Sequence, residues 1–384
     1  MTKPALREKF RNRFHKEPTH VFFCPGRVNL IGEHLDYNGG KVMPCAISLG
    51  TYLAVAKNTD KKLRFECLNF PETAELHLQS SYTKTGKEWF NYPLGAIHQL
   101  LQNDHAISGL DMLFYGDLPI GAGLSSSASI EVLTAFAISE LFQLKISNTD
   151  LAFIGKKVEN EFIGLNSGIM DQFAVAMGRL DKAILLNCDT LEYEYLPFEI
   201  GEYVLAIINS NKQRELAGSK YNERFAECGA ALKLLKKEIT ATHLCDIDMD
   251  TFRKYRYLIN DDILQKRALH VITENERVKL AKETLQSGDL KKFGELMYAS
   301  HHSLQELYEV SGKELDTIVD FCKTYSDCIG ARMTGAGFGG CAIALVKKDQ
   351  FDDFASKLIC YYKTKVGYEP EVFASVIGDG VKEL

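Results

Sequence analysis

The chain has 384 residues, of which 46% are hydrophobic and 25% charged, values that exclude a disordered or fibrous protein and, at this length, predict two domains. Its 45 basic and 51 acidic side chains leave a net charge of −6, so there is no global attraction to nucleic acid or to an anionic membrane, and neither is expected as a partner. No segment approaches the roughly 18 uninterrupted apolar residues of a bilayer span, no signal-like apolar core opens the chain, and the ten cysteines show no C-x-x-C spacing; a cytoplasmic protein with reduced, mostly buried thiols is expected.

In chain order, a short amphipathic start precedes four strand-like segments, HVFFC, TYLAVAKN, LRFECLNF and AELHLQ, rich in β-branched and aromatic residues and divided by polar turns. A helix is predicted over 89–103, then the strand GLDMLFYG, a loop of very small residues, a long helix over 125–142 and another over 150–163. Strands return as KAILLNC, LEYEYLPF and YVLAIINS; a block of helices between 219 and 325 follows, and a β-rich portion ends the chain. The class is mixed α and β, with a boundary near residue 180 that gives domains 1–180 and 181–384. Charged runs such as LKLLKKE and ENERVKLAKE have the i to i+4 spacing of solvated helix faces.

Three clusters carry chemistry. CPGRVNLIGEHLDYNGG sets Arg27, Glu33, His34 and Asp36 within ten residues, punctuated by glycines. Such groups are poor core material unless each finds a partner, yet the interleaved Val28, Leu30, Ile31 and Leu35 argue for partial burial; a polyhydroxylated ligand would supply the partners. LPIGAGLSSSASIE runs from almost no side chains directly into helical sequence. Glycine allows positive φ and close approach, and the free N–H groups of a helix's first turn form an anion site suited to phosphate; the rival reading is a loop ahead of an ordinary serine-capped helix. RMTGAGFGGCAIALV satisfies G-x-G-x-x-G at Gly335, Gly337 and Gly340, but strand-like sequence follows where a dinucleotide fold needs a helix. G-x-x-x-x-G-K-[ST], H-R-D and D-F-G do not occur, so neither a Walker NTPase nor a protein kinase is indicated.

Between the second and third clusters, KKVENEFIGLNSGIMDQFAVAMG places Glu159 on a helix and Asp171 at the start of the next. Carboxylates ligate Mg²⁺ and accept hydroxyl protons; for Asp171 a helix N-cap or first-turn charge is the plainer alternative. His301 and His302 in YASHHSLQEL lack a third ligand at recognisable spacing and read as a polar helix face.

Together and in this order, the clusters resemble the three motifs of the GHMP kinases. GRVNLIGEHLDYNGG, LPIGAGLSSSASIE, MTGAGFGGC, GIMDQF and SKYNERF are similar to segments of the branch that phosphorylates galactose, so the resemblance spans residues 24–341. It implies an α+β, two-lobed GHMP kinase fold, with a mixed sheet and helices in the N-terminal lobe, helices packed on an antiparallel sheet in the C-terminal lobe, and the active site between them. It also implies transfer of the γ-phosphoryl of ATP to the C1 hydroxyl of α-D-galactose, the first step of galactose catabolism by the Leloir route, with Mg²⁺ as cofactor; a monomer is expected. By the same resemblance Asp171 faces the anomeric hydroxyl with Arg27 beside it, and Glu33, His34, Asp36, Gly168 and Tyr221 hold the sugar. Gly121, Ala122, Gly123, Leu124, Ser125, Ser126 and Ser127 would wrap the ATP phosphates, Trp89 would pack near adenine, and Ser127 and Glu159 would ligate Mg²⁺.

That branch usually carries Thr where this chain has Leu35, a position that is also aliphatic in N-acetylgalactosamine kinases, whereas Asn38, Gly39, Gly40 and Tyr221 look like the galactose enzymes. An acetylated-sugar kinase is therefore one alternative. A non-catalytic sensor of galactose and ATP is the other, and the intact GLSSSAS loop argues against it.

Overall fold

The computed structural model describes residues 1–119, 121–165, 167–212 and 217–384, with side chains from 220 onward in the last segment; Ile120 of the small-residue loop and Asn166 of the GLNSG break lie outside them. The first half runs α1 (Lys3–Phe14), β1 (His20–Asn29), β2 (Lys41–Val42), β3 (Pro44–Asn58), β4 (Lys62–Cys67), β5 (Ala74–His77), α2 (Asn91–Gln102), β6 (Gly109–Gly116), α3 (Ser126–Phe142), α4 (Asn148–Lys157) and α5 (Met170–Met177). The second runs β7 (Lys182–Asn187), β8 (Tyr193–Pro197), β9 (Tyr203–Asn209), α6 (Ala217–Leu235), α7 (Met249–Tyr255), α8 (Asp262–Ser287), α9 (Leu290–Ser303), α10 (Gly312–Thr324), β10 (Cys328–Met333), β11 (Cys341–Lys347), α11 (Phe351–Val366), β12 (Glu371–Ser375) and β13 (Lys382–Glu383).

The early strands form one mixed sheet in the order β13-β1-β3-β6-β4-β5, with β4 and β6 parallel and its other pairs antiparallel. Alternation along β1 explains its two faces: Val21 packs with Leu6 and Phe10 of α1, while Phe22 and Cys24 join the core shared with α3 and α5. The second sheet, β10-β11-β9-β12, is antiparallel throughout; every residue of β9 is buried, which its unbroken apolar run anticipates for a strand covered on both faces. Val28, Leu30, Ile31 and Leu35 of the first cluster share a core with Leu205, Ile207, Ile343 and Leu345 of this sheet. The first cluster is thus seated on the second half of the molecule by its apolar residues.

Two elements differ from expectation. The helix predicted over 150–163 is α-helical only to Lys157, and Val158–Ile163 form a π-helical turn that carries Glu159. The closing portion is not uniformly β-rich: α11 buries Phe354, Leu358 and Tyr362, an i, i+4, i+8 stripe that fixes it as a helix. Among the described residues no helix is long and apolar enough to cross a membrane.

Candidate active site

The site begins at an irregularity. Strand β1 slips register between Pro25 and Arg27. A Cβ on Gly26 would lie 2.7 Å from the Leu124 carbonyl oxygen, so glycine is what allows this strand to touch the small-residue loop. The bulge aims Arg27 at Asp171. Its Nε donates to Asp171 Oδ1 (2.9 Å) and Nη2 to Oδ2 (2.7 Å), while Nη1 donates to the Gly123 carbonyl oxygen (2.8 Å). Asp171 lies in the first turn of α5 but does not cap it, because Ile169 holds the cap position. Its Oδ2 also accepts from the Ser125 hydroxyl.

The serine-capped reading of the loop fails. Ser125 stands at the cap of α3 with a left-handed φ of 62° and makes no capping bond. The hydroxyls go elsewhere: Ser125 to Asp171, Ser127 to Glu159 Oε1 (2.8 Å), Ser129 to the Cys24 carbonyl oxygen (2.8 Å). Positive φ at Gly121 and Gly123 gives the loop its turns. The first-turn N–H groups of α3, which lack intrahelical acceptors, therefore remain available to an anion as far as these three serines are concerned.

Beside the ion pair lies a cavity of about 250 Å³. Arg27, Glu33, His34, Asp36, Gly168, Asp171 and Tyr221, all singled out from sequence, line it, together with Gly335 of the third cluster and with Asn29, Ser167 and Ala336, which were not singled out. Gly168 sits so near Asp36 that a Cβ there would be 3.4 Å from Oδ2. Asp36 is partly open to the cavity, but the protein packed around its carboxyl pushes its pKa up to about 6, and the Asp171 charge adds to the rise. Burial holds the His34 imidazole down to about 3, so it is neutral.

Glu33 is tied into the third cluster. Its Oε1 accepts from the Gly335 amide (2.6 Å), and Oε2 from Arg332 Nη1 (2.9 Å) and the Asn29 side chain. Burial raises the Glu33 pKa, with Arg332 and the Gly335 amide pulling against it. Arg332 is fully buried and 299 residues from Glu33 in the chain; it was missed from sequence, where its single signal is a lone cation ahead of the glycines. Histidine 301 corrects another expectation: His301 is buried, not on a polar face, and its Nδ1 accepts from the Met333 amide (3.2 Å), whereas His302 is exposed. Leu35 is fully buried in the core and does not line the cavity.

A second cavity, of about 290 Å³, lies against the start of α3, where Ser126 and Ser127 line it. Its walls are rings and apolar groups: Phe70, Trp89, Tyr92, Phe114 and Ile130. Trp89 is half-buried, stacked on Phe70 at 6.5 Å and edge-on to Phe114 at 5.6 Å, and its Nε1 donates to the Glu72 carbonyl oxygen (2.9 Å).

A serine-rich loop opening a helix, flanked by one polar and one aromatic cavity in an α+β frame, defines a kinase of the GHMP class. Residues 91–179 match the GHMP kinases N terminal domain and residues 281–364 the GHMP kinases C terminal domain. A mevalonate kinase crystal structure shares the fold, with a TM-score of 0.69 over 94% of this chain and 99% of that one at 21% identity. The first cluster narrows the class: residues 8–57 match the galactokinase galactose-binding signature. The galactokinase of Enterococcus faecalis is 50% identical over 99% of this chain and 99% of its own, and the Lactococcus lactis galactokinase crystallised with galactose has a TM-score of 0.92 at 44% identity over 99% of both chains. The chain belongs to the galactokinase family.

Proposed function

We propose that the enzyme transfers the γ-phosphoryl group of ATP to the C1 hydroxyl of α-D-galactose, giving galactose 1-phosphate and ADP. Phosphorylation of galactose is the activity of its family. The observation that carries the residue roles is the Arg27 side chain, which grips Asp171 with two nitrogens and the loop with the third. Of the roughly four lone-pair sites on a carboxylate, protein donors occupy one on Oδ1 and two on Oδ2 of Asp171. The site left on Oδ1 accepts the anomeric hydroxyl. As the bond from O1 to the γ-phosphorus forms and the bond from that phosphorus to the ADP oxygen breaks, the hydroxyl proton passes to Oδ1.

A loose transition state leaves the protein chiefly to align the reactants and to neutralise charge on the equatorial oxygens, tasks suited to Arg27 and the N–H groups of loop 121–127. Glu33, His34, Asp36, Gly168 and Tyr221 hold the sugar in the polar cavity, and Trp89 helps to receive adenine in the aromatic one. Among the described residues no three His, Cys, Asp or Glu converge on a metal position, but the Ser127 hydroxyl and Glu159 carboxylate meet at 2.8 Å as two hard oxygen donors. That pair fits Mg²⁺, which takes one or two protein oxygens and completes its shell with phosphates and water; when bound it would neutralise phosphate charge. Both cavities are lined by residues of this one chain, in keeping with a monomer, which we read as two lobes, 1–180 and 181–384, in a cytoplasmic setting.

ADP release with Mg-ATP and a panel of galactose, N-acetylgalactosamine, glucose, homoserine and mevalonate tests the reading. Turnover dominated by galactose is expected. Preference for the acetylated sugar, or binding of galactose and ATP without turnover, would replace it with one of the two alternatives.

A further inference from the structure

Among the described residues lining the polar cavity, one buried side-chain atom makes no hydrogen bond of normal geometry, His34 Nε2, although the Ala336 backbone, also in the cavity wall, lies near enough to the ring to act on its charge. The residue is 4% exposed and held at a φ of 64°, a conformation that a non-glycine residue adopts only when its surroundings impose it. The surroundings are specific. His34 Nδ1 lies 2.9 Å from the Tyr37 hydroxyl, which lies 2.8 Å from the Tyr308 hydroxyl, which lies 3.1 Å from Cys228 Sγ. The Tyr308 ring is wedged between His34 at 4.7 Å and His270 at 4.4 Å, and His270 is itself fixed by Ser303 at 2.8 Å.

Burial keeps every member of this series neutral: it lowers the His34 and His270 imidazoles and raises the Tyr37, Tyr308 and Cys228 groups. With no charge to orient the series, acceptor strength does so. A neutral imidazole nitrogen accepts better than a phenol oxygen, so Tyr37 donates to Nδ1. Its own oxygen then takes the Tyr308 proton, and the Tyr308 oxygen takes the weak thiol donor. The one arrangement that satisfies all of these puts the imidazole hydrogen on Nε2.

We propose that Tyr37 and Tyr308 are positioning residues that hold His34 as its Nε2–H tautomer, so that a sugar oxygen meets a neutral hydrogen-bond donor at that point of the cavity. The proposal rests on the polar cavity being the sugar site. It makes His34 a selective element, since a donor fixed on Nε2 rewards a hydroxyl or ring oxygen there and rejects a ligand that presents a second donor or an apolar group.

The test combines ¹⁵N shifts of histidine-labelled protein with steady-state kinetics, His34 being assigned as the resonance that His34→Gln removes. The wild type is expected to show protonated Nε2 and unprotonated Nδ1. Tyr37→Phe removes the donor to Nδ1 and moves the ring towards the other tautomer; Tyr308→Phe, which keeps the wedged ring, moves it part of the way. Both raise the galactose KM roughly three- to tenfold, as expected for one neutral hydrogen bond, with kcat and the ATP KM within about twofold. An Nδ1–H tautomer in the wild type, shifts unaltered in Tyr37→Phe, or a loss confined to kcat would overturn the proposal. Absence of galactose turnover in the wild type would instead defeat the sugar-kinase reading, while the ¹⁵N shifts would still decide the tautomer.

Discussion

The two cavities flanking the loop are close in size, about 250 and 290 Å³, yet they are built by opposite means. The polar one is walled by groups already bonded to one another: Arg27 with Asp171, Glu33 with Arg332 and Gly335, His34 with Tyr37. The aromatic one is walled by rings that meet through their faces and edges. In a bonded wall, removing one group strands its partner, and the loss spreads. In a wall of rings each contributes mainly its own area.

The contrast orders the consequences of mutation. Asp171→Ala strands the Arg27 guanidinium and removes the proposed proton acceptor together, so kcat should fall by roughly 10³-fold or more with the circular dichroism of a folded protein; turnover near wild type would refute the assignment. Arg332→Met leaves the buried Glu33 carboxylate without its cation and should lower unfolding stability by about 3–5 kcal/mol in urea, an effect a solvated pair would not have. Trp89→Ala should raise the ATP KM about tenfold and leave the galactose KM within about twofold; a change in the sugar constant would mean that the two walls are not independent. Leu35→Thr should be the mildest for catalysis. It changes the core and not the cavity, so the acceptor preference stays within about twofold while the buried hydroxyl lowers stability by about 1–2 kcal/mol.

The same contrast governs what was legible in sequence. The polar wall draws Arg27, Glu33, His34 and Asp36 from one stretch of ten residues, where excess polarity among apolar neighbours is visible without a structure. The Arg27–Asp171 pair spans 144 residues and was reachable only through family resemblance; Arg332, 299 residues from Glu33, belongs to no local pattern. The aromatic wall is scattered over three strands, two helices and the segments between them, and its rings have the composition of ordinary core, so only Trp89 and the loop serines were picked out. The π-helical turn under Glu159 was missed because six residues are too few to separate its period from that of an α-helix. Tyr308 gave no signal, since a tyrosine on a helical segment is usually packing, and its relation to His34 exists only in three dimensions.

The clasp between Glu33 and Arg332 also sets a schedule for synthesis. The carboxylate is made early and its guanidinium 299 residues later, an interval of roughly 15–60 s at about 5–20 residues per second. During that time the first cluster, with its apolar residues facing a sheet not yet translated, stands on the ribosome as an unfinished surface. Fragments ending before the third glycine cluster should therefore occupy chaperones, and the polar cavity is among the last parts of the molecule to come into being.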